Sequence, residues 1–327
     1  MKATAVLVCL MFFLQNSFLL AQTELRSLHL KQSIPTGACN SFAFGNRSDV
    51  WATNGNGFAH IYDGSHEKNV LQWGGHSPAM RFSQNDDSLW SHDVLQDVNG
   101  DKWRIPSQAW DLDGRGAIVS SCYPDGENTL VGYATYRPRK TTRIEPPTPK
   151  GELLVIDLQT GRRLRELKVG IHREEYLNMA CDGDRVAVGL NDTLFVWNWR
   201  TGETVFWTYI VEDWLSPFID FSSDGKHLVL GTVDSGEITV WETEKWTQVA
   251  HWTNSQGRLT GALFLPDNKT VALSYEEGGV SLWNSRSGKR VWQSKPMTVH
   301  AIALHPRTSE LYLNDGNSTH IYQISGL

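Results

Sequence analysis

The sequence predicts an all-β fold made of seven copies of one repeat. Two stretches carry this prediction, FSSDGKHLVLGTVDSGEITVWE at residues 221–242 and FLPDNKTVALSYEEGGVSLWN at residues 264–284. Each reads as two short alternating strands around a polar turn, and each ends on Trp followed by Glu or Asn. Similar endings recur seven times along the chain, 39 to 48 residues apart. A period in this range indicates a repeat architecture in which each copy is one supersecondary unit.

The seven endings share an aromatic or branched residue that is followed by an acidic or amide residue. They are centred on Tyr62, Trp110, Ile156, Trp197, Trp241, Trp283 and Tyr322. A cluster of Pro, Asp, Asn and Gly residues precedes each ending and has the chemistry of a hairpin turn. This pattern resembles the WD-repeat β-propeller family, which implies a seven-bladed ring of four-stranded sheets. Radial packing covers both faces of each sheet, so most of the 14 Trp residues are expected in the core.

The two ends of the chain predict how the ring closes. The segment THIYQISGL at the carboxyl end supplies only the third strand of the last blade. The segment ELRSLHLKQS near the amino end alternates like a strand and belongs to no repeat of its own. We expect this amino-terminal strand to pair into the last blade and close the ring without a free edge.

The sequence also departs from the family that it resembles. The Gly-His dipeptide that precedes a blade in that family occurs clearly once, as Gly75-His76. The acid of the turn between the second and third strands is matched in three repeats, at Asp192, Asp234 and Asp315. The resemblance therefore implies the propeller architecture and says little about activity.

Residues 1–21 have the pattern of a secretory signal, with Lys2 followed by an apolar run that ends at Ala21. We therefore expect a signal peptide at 1–21, one propeller domain at 22–327, and a secreted or periplasmic location. An uncleaved membrane anchor is the alternative, but the polar pair Gln15-Asn16 shortens the apolar run. No later run is apolar enough to cross a bilayer. Without Lys2 the charge balance is 29 basic against 36 acidic residues, which predicts no affinity for nucleic acid.

Three cysteines follow the signal, Cys39, Cys122 and Cys181. An odd number leaves at least one free thiol unless a bond forms between molecules. No CxxC pair is present, so the sequence predicts neither a metal site nor a redox site. We expect these residues to act as small buried hydrophobic groups, and we expect no cofactor.

Two repeats carry insertions between their predicted second and third strands. In the second repeat, residues 92–110 predict a long hairpin that turns at Asn99-Gly100. A calcium loop is the alternative there, but Lys102 and Gln108 stand where such a loop needs Gly and Glu. In the third repeat, residues 137–151 are rich in proline and predict an extended basic arm. This arm is either a solvated loop or a surface for an anionic glycan or an acidic partner, and its cations include Arg137, Arg139, Lys140 and Arg143.

The loops that lead into the first strand of each repeat carry polar residues that we expect around the central channel. This is where propellers commonly bind ligands. The residues are Asn40, His76, Arg115, Glu174, Trp214, Arg258 and His300. Arg81 and Asp220 fall in the middle of predicted strands, and we expect them to lie between blades instead.

No motif of a catalytic nucleophile, a metalloprotease or a phosphate loop is present in the sequence. The sequence therefore favours an exported, monomeric, non-catalytic binding or scaffold protein with a protein or anionic glycan partner. The alternatives are a propeller enzyme (a lyase, a hydrolase or a quinone-dependent dehydrogenase) acting at the channel, and a structural envelope protein.

Overall fold

The computed structural model describes residues 27–55, 58–72, 80–82, 86, 88–91, 94–97, 102–104, 116–123, 129–136, 150–158, 160, 162–169, 177–190, 192–210 and 217–326. These residues form strands, turns and loops, and none of them is helical. They build seven four-stranded sheets in which neighbouring strands are antiparallel. The structure is a β-propeller.

Two sheets come from the first part of the chain. The first contains β2 (Ser41–Phe44), β3 (Val50–Gly55), β4 (Phe58–Asp63) and β5 (His66–Gln72). The next is called the short sheet and contains β6 (Met80–Phe82), β7 (Ser88–Ser91), β8 (Val94–Asp97) and β9 (Lys102–Arg104).

Four sheets follow in chain order, and each is formed by four consecutive strands. The first of these contains β10 (Gly116–Cys122), β11 (Thr129–Tyr136), β12 (Lys150–Asp157) and β13 (Arg163–Val169). The second contains β14 (Leu177–Asp182), β15 (Arg185–Leu190), β16 (Thr193–Asn198) and β17 (Glu203–Tyr209). The third contains β18 (Phe218–Phe221), β19 (His227–Gly231), β20 (Glu237–Glu242) and β21 (Thr247–Thr253), and the fourth contains β22 (Leu259–Phe264), β23 (Thr270–Tyr275), β24 (Gly279–Asn284) and β25 (Lys289–Gln293).

The last sheet joins the two ends of the chain. It contains β26 (Ala301–Leu304), β27 (Glu310–Asn314), β28 (Ser318–Ser325) and the amino-terminal strand β1 (Ser27–Pro35). Strand β1 pairs antiparallel with β28, from Ser27 opposite Ser325 to Pro35 opposite Ser318. Leu28 and Ile34 on β1 are buried. The predicted pairing of the amino-terminal strand with the last blade is therefore confirmed.

The prediction of a seven-bladed propeller is wrong. Six of the described sheets carry the repeat ending on their third strand, and we call these six the repeat blades of the propeller. The short sheet differs, because its strands have only three or four residues and its third strand lacks the ending. The fold is corrected to a six-bladed propeller with the short sheet placed between the β2–β5 and β10–β13 blades.

The register explains why the second repeat was assigned incorrectly. In the β2–β5 blade Trp51 pairs with Tyr62, the aromatic residue of the ending. The equivalent pair in the short sheet is Leu89 with Gln96, so an amide stands where the other blades have Tyr, Trp or Ile. The motif was therefore matched to Trp110, which lies outside the described residues. The predicted hairpin is confirmed for β8 and β9, but these two strands complete the short sheet and are not an insertion.

One pair of inner-strand positions connects neighbouring sheets. A residue near the end of one inner strand contacts a residue at or just beyond the end of the next inner strand, and the pairing register with the second strands makes these positions equivalent from sheet to sheet. The Arg81 guanidinium lies 5.4 Å from the centroid of the Tyr123 ring. Cys122 forms a disulfide with Cys181. The third such contact joins Asp220, whose Oδ2 accepts the backbone N–H of Phe264 at 2.7 Å. Arg81 and Asp220 thus lie between sheets, as the sequence predicted.

Apolar pairs occupy the same positions at three other junctions. Ala43 packs in one core cluster with Phe82, and Ala180 packs in another with Phe221. Leu263 and Leu304 share a third cluster. The position therefore tolerates any pair that fills the space between two inner strands, because the backbone geometry of the blades is the same.

The disulfide corrects the expectation that all three cysteines are simply buried hydrophobic groups. Cys122 and Cys181 connect the inner strands of the β10–β13 and β14–β17 blades across 59 residues of sequence. Cys39 is the free cysteine among the described residues, and burial raises the pKa of its thiol to about 12. Cys39 thus behaves as the small hydrophobic group that was expected.

The turns between first and second strands are also tied from blade to blade. The carboxylate of Asp86 accepts the backbone N–H groups of Asn46, Arg47 and Ser48 from the neighbouring blade, at 2.5, 2.8 and 2.8 Å. Arg307 reaches the same turn and binds the Asp49 carboxylate at 2.9 Å. These bonds hold three consecutive turns in fixed positions.

Most of the tryptophans whose side chains the structure describes lie in the core, as expected. Trp51 and Trp197 are fully buried, and the rings of Trp252 and Trp283 stack with centroids 5.7 Å apart. The exception among the tryptophans whose side chains are described is Trp207 on the outer strand β17, which is 52% exposed.

Deleting residues 22–33 should lower the melting temperature by about 5–10 °C. The deletion removes the buried Leu28 and leaves the edge of β28 unpaired, which costs several kcal/mol. Deletion of residues 22–26 alone is the matched control, since these residues precede β1. Equal melting temperatures for the two deletions, measured by circular dichroism, would contradict the role of β1.

The pKa of Asp220 should make stability fall as the pH rises from 4 to 8. Burial raises this pKa to about 7, against the opposing effect of the hydrogen bonds from the Phe264 and Phe221 amides. Between pH 4 and 7 the folded state holds a proton that the unfolded state has lost, so the stabilisation is complete below pH 4 and is lost above 7. We expect the free energy of unfolding of Asp220→Asn, measured in urea, to change less than that of wild type over this interval. The difference between the two changes should be a few kcal/mol.

Asp224 supplies the control for this prediction. Burial alone would raise the pKa of Asp224, but hydrogen bonds from the Ser222 hydroxyl and the Lys226 amide hold it below the usual value. Asp224→Asn should therefore change the pH dependence only in the acid range below about pH 4. If the free energy of unfolding changes with pH equally in wild type and in Asp220→Asn between pH 4 and 8, the Asp220 carboxyl titrates normally.

Reducing the Cys122–Cys181 bond should destabilise the propeller. A cross-link that closes a loop of 59 residues removes about 4 kcal/mol of chain entropy from the unfolded state. We expect the Cys122→Ser, Cys181→Ser double variant to melt several degrees lower than wild type in oxidising buffer. Reductant should lower the melting temperature of wild type to that of the variant. A double variant with the same melting temperature as the oxidised wild type would be evidence against the bond.

Candidate functional site

The strands alternate in direction, so each blade presents its turns on two opposite faces. The upper face carries the loops that lead into the first strands and the turns between the second and third strands. The lower face carries the turns between the first and second and between the third and fourth strands. The predicted channel residues that the structure describes, Asn40, Arg258 and His300, belong to the upper face.

Three of the predicted site residues are described. Asn40, Arg258 and His300 are all exposed and precede the inner strands β2, β22 and β26. The other predicted channel residues lie outside the described residues, namely His76, Arg115, Glu174 and Trp214. The same is true of the basic arm, with Arg137, Arg139, Lys140 and Arg143.

Asn40 and His300 occupy equivalent positions on adjacent blades. The backbone N–H of Asn40 donates to the Asn54 carbonyl at 2.7 Å, and that of His300 donates to the Asn314 carbonyl at 2.7 Å. The structure thus brings these two predicted residues to the same side of the ring. Gly316 lies directly against His300, since a Cβ added at Gly316 would lie 2.9 Å from the imidazole ring.

The fully buried amide of Asn314 organises this part of the upper face. Its Nδ2 donates to the Thr36 hydroxyl at 3.1 Å and to the Gly37 carbonyl at 2.9 Å. Its Oδ1 accepts the backbone N–H of Cys39 at 3.2 Å. These bonds fix the segment that connects β1 to β2 and therefore the position of Asn40. Sequence reasoning missed Asn314, although Asn also stands at the equivalent register position in the first blade, as Asn54.

Arg258 is held by two acids instead of being available alone for a ligand. Its Nε lies 3.2 Å from Asp234 Oδ1, and its Nη1 lies 3.6 Å from Glu276 Oε2. These acids belong to the turns of two neighbouring blades, so Arg258 connects the two turns. All three side chains are about half exposed, and such pairs contribute roughly 0–1 kcal/mol each.

The upper face is acidic in the turns that the structure describes. Every charged residue in the described part of the turns between second and third strands is an acid, namely Asp192, Asp234, Glu276, Glu277 and Asp315. Burial alone would raise the pKa of Asp315. Hydrogen bonds from His320 Nε2 at 2.9 Å and from the Ser318 amide at 2.7 Å outweigh it and hold the pKa below the usual value.

An exposed aromatic residue lies on the same face. Phe58 begins β4 and is 38% exposed, although phenylalanine is usually buried. Aromatic residues surrounded by polar groups are typical of the energetic centres of protein interfaces. The sequence analysis did not identify Phe58, because a single Phe at the start of a strand has no distinguishing pattern.

Within the described part of the chain, no three His, Cys, Asp or Glu side chains are grouped so that they could hold a metal ion. The described residues also contain no helix of the length and apolarity that a membrane span requires.

Comparison with known proteins gives one partial relationship. No family model matches the chain. A segment of 67 residues is 28% identical to the Periodic tryptophan protein 2 homolog of Dictyostelium discoideum. The segment is 20% of this chain and only 7% of that protein, so the similarity concerns a small part of both.

Proposed function

We propose that this protein is an exported, non-catalytic binding propeller of the WD-repeat type whose upper face takes a basic protein partner. The observation that carries the proposal is the set of acidic turns from four blades on one face, with the exposed Phe58 on the same face. Electrostatic complementarity of this kind speeds the encounter and selects the sign of the partner.

The fixed geometry of the upper face supports a binding role. The Asn314 amide and the Arg258 ion pairs hold the loops of neighbouring blades in place. A surface that is already ordered loses less conformational entropy when a partner binds. The upper face also needs no cofactor to present its charged side chains.

Export is supported by two independent features of the chain. The pattern of residues 1–21 is that of a secretory signal. The Cys122–Cys181 bond is of the kind that persists in oxidising compartments outside the cytoplasm. The WD-repeat assignment is supported by the six third-strand endings and by the partial similarity described above.

The proposal is tested with a synthetic nona-arginine peptide, which presents the positive charge expected of the partner. Asp192→Asn, Glu277→Gln removes two acids from the upper face and should weaken binding several-fold at low salt. The matched control removes two exposed acids from the lower face, as Asp63→Asn, Glu244→Gln. Wild-type binding, measured by isothermal titration calorimetry, should also weaken as salt is added.

Two results would overturn the proposal. Equal losses in both double variants would show that the peptide senses only net charge and not the upper face. Binding of heparin that is lost in the quadruple variant with Ser at 137, 139, 140 and 143, together with no binding of nona-arginine, would assign an anionic glycan partner to the basic arm.

A further inference from the structure

A pocket of about 410 Å³ opens on the lower face, where the inner strands of three consecutive blades end. It is formed by the ends of β18, β22 and β26 and by the turns that follow them. The lining residues are Asp220, Phe221, Ser223, Leu263, Phe264, Leu265, Pro266, Leu304, Pro306 and Ser309. This volume falls within the range of small-molecule sites in proteins.

The pocket is apolar apart from one carboxyl group and two hydroxyl groups. Asp220 is the ionisable side chain among the described residues that line it, and Ser223 and Ser309 supply the hydroxyls. Two prolines and two phenylalanines give much of the wall a stiff surface. The turns around it are closed by backbone hydrogen bonds, such as Leu265 N–H to the Thr270 carbonyl at 2.8 Å and His305 N–H to the Glu310 carbonyl at 2.8 Å.

The fold itself does not require a carboxyl group at position 220. The equivalent inner-strand position holds Ala43, Ala180, Leu263 or Ala303 in other blades, and these blades pack without a polar side chain there. Burying a carboxyl group in apolar surroundings is unfavourable unless a partner compensates for it. The backbone N–H of Phe264 is part of that compensation.

Asp220 lines the pocket, and its carboxylate can accept more hydrogen bonds than the backbone supplies. A carboxylate offers about four lone-pair sites, and the amides of Phe264 and Phe221 use two of them. A cation in the pocket would satisfy the others and neutralise the charge. A single carboxylate among apolar walls is a poor site for a hard metal ion, which needs six or more oxygen ligands.

We propose that this pocket binds a small organic amine, with its ammonium group on the Asp220 carboxylate and its apolar body against Phe221, Phe264 and Leu304. The ion pair supplies orientation, and the apolar walls supply most of the burial. The hydroxyls of Ser223 and Ser309 can accept hydrogen bonds from the remaining N–H groups of the ammonium. This site is separate from the upper face and does not depend on its proposed partner.

The probes are benzylamine, cyclohexylamine and phenethylamine, with benzyl alcohol as the uncharged counterpart of the first. Binding is measured at pH 8 and constant temperature by chemical-shift changes in the full-length mature protein. We expect at least one amine to bind wild type and benzyl alcohol to bind at least tenfold more weakly. Asp220→Asn keeps an acceptor for the Phe264 amide, and it should weaken amine binding at least tenfold.

Two further variants separate the pocket from general effects on the protein. Leu304→Phe fills the pocket without changing its charge and should also abolish amine binding. Asp224→Asn removes an acid from a turn of the same blade outside the pocket lining, and it should bind amines as wild type does. Circular dichroism checks that each variant is folded.

The proposal is overturned if none of the three amines binds wild type, or if benzyl alcohol binds as tightly as benzylamine. Amine binding that survives both Asp220→Asn and Leu304→Phe would also overturn it. If Asp220→Asn does not fold, Leu304→Phe and the comparison of benzylamine with benzyl alcohol decide the result alone.

Discussion

The contact between the inner strands of neighbouring sheets is the constraint on which the rest of this propeller depends. At one pair of positions, the chain uses a cation–π contact, a disulfide, a buried carboxyl hydrogen bond and several apolar pairs. A sheet of four short strands cannot bury both faces alone, so each sheet is stable only against its neighbours. Because the backbone geometry repeats, the chemistry at each junction is free to vary.

Closure of the ring follows from the same constraint. The last three strands leave one edge of their sheet without a partner, and β1 supplies it from the other end of the chain. The segment from Thr36 to Asn40 then passes over the buried Asn314 amide before it enters β2. The strand that closes the ring therefore also positions part of the upper face.

The two faces of the propeller differ in chemistry. The upper face presents charged turns that are partly neutralised by ion pairs and are open to solvent. The lower face has a pocket with largely apolar walls, and one carboxyl group, that of Asp220, is part of its lining. A large, flat, charged surface suits a macromolecule, whereas a small concave site suits a small molecule. The proposed partner surface and the proposed amine pocket thus lie on opposite faces of the propeller.

The sequence by itself determined the all-β propeller, the repeat and the pairing of the amino-terminal strand, because hydrophobic alternation and turn residues are local signals. It also placed Arg81 and Asp220 between sheets. It did not determine the identity of the short sheet, since Gln96 replaces the aromatic residue by which the other third strands are recognised.

Only the tertiary structure decided which distant residues meet. Cys122 and Cys181 are 59 residues apart, and neither spacing nor composition reveals that their strands are neighbours. The ion pairs of Arg258 likewise join turns of different blades. The pocket at Asp220 is formed by three blades at once. These features depend on the side-by-side packing of consecutive blades, and this packing exists only in the folded protein.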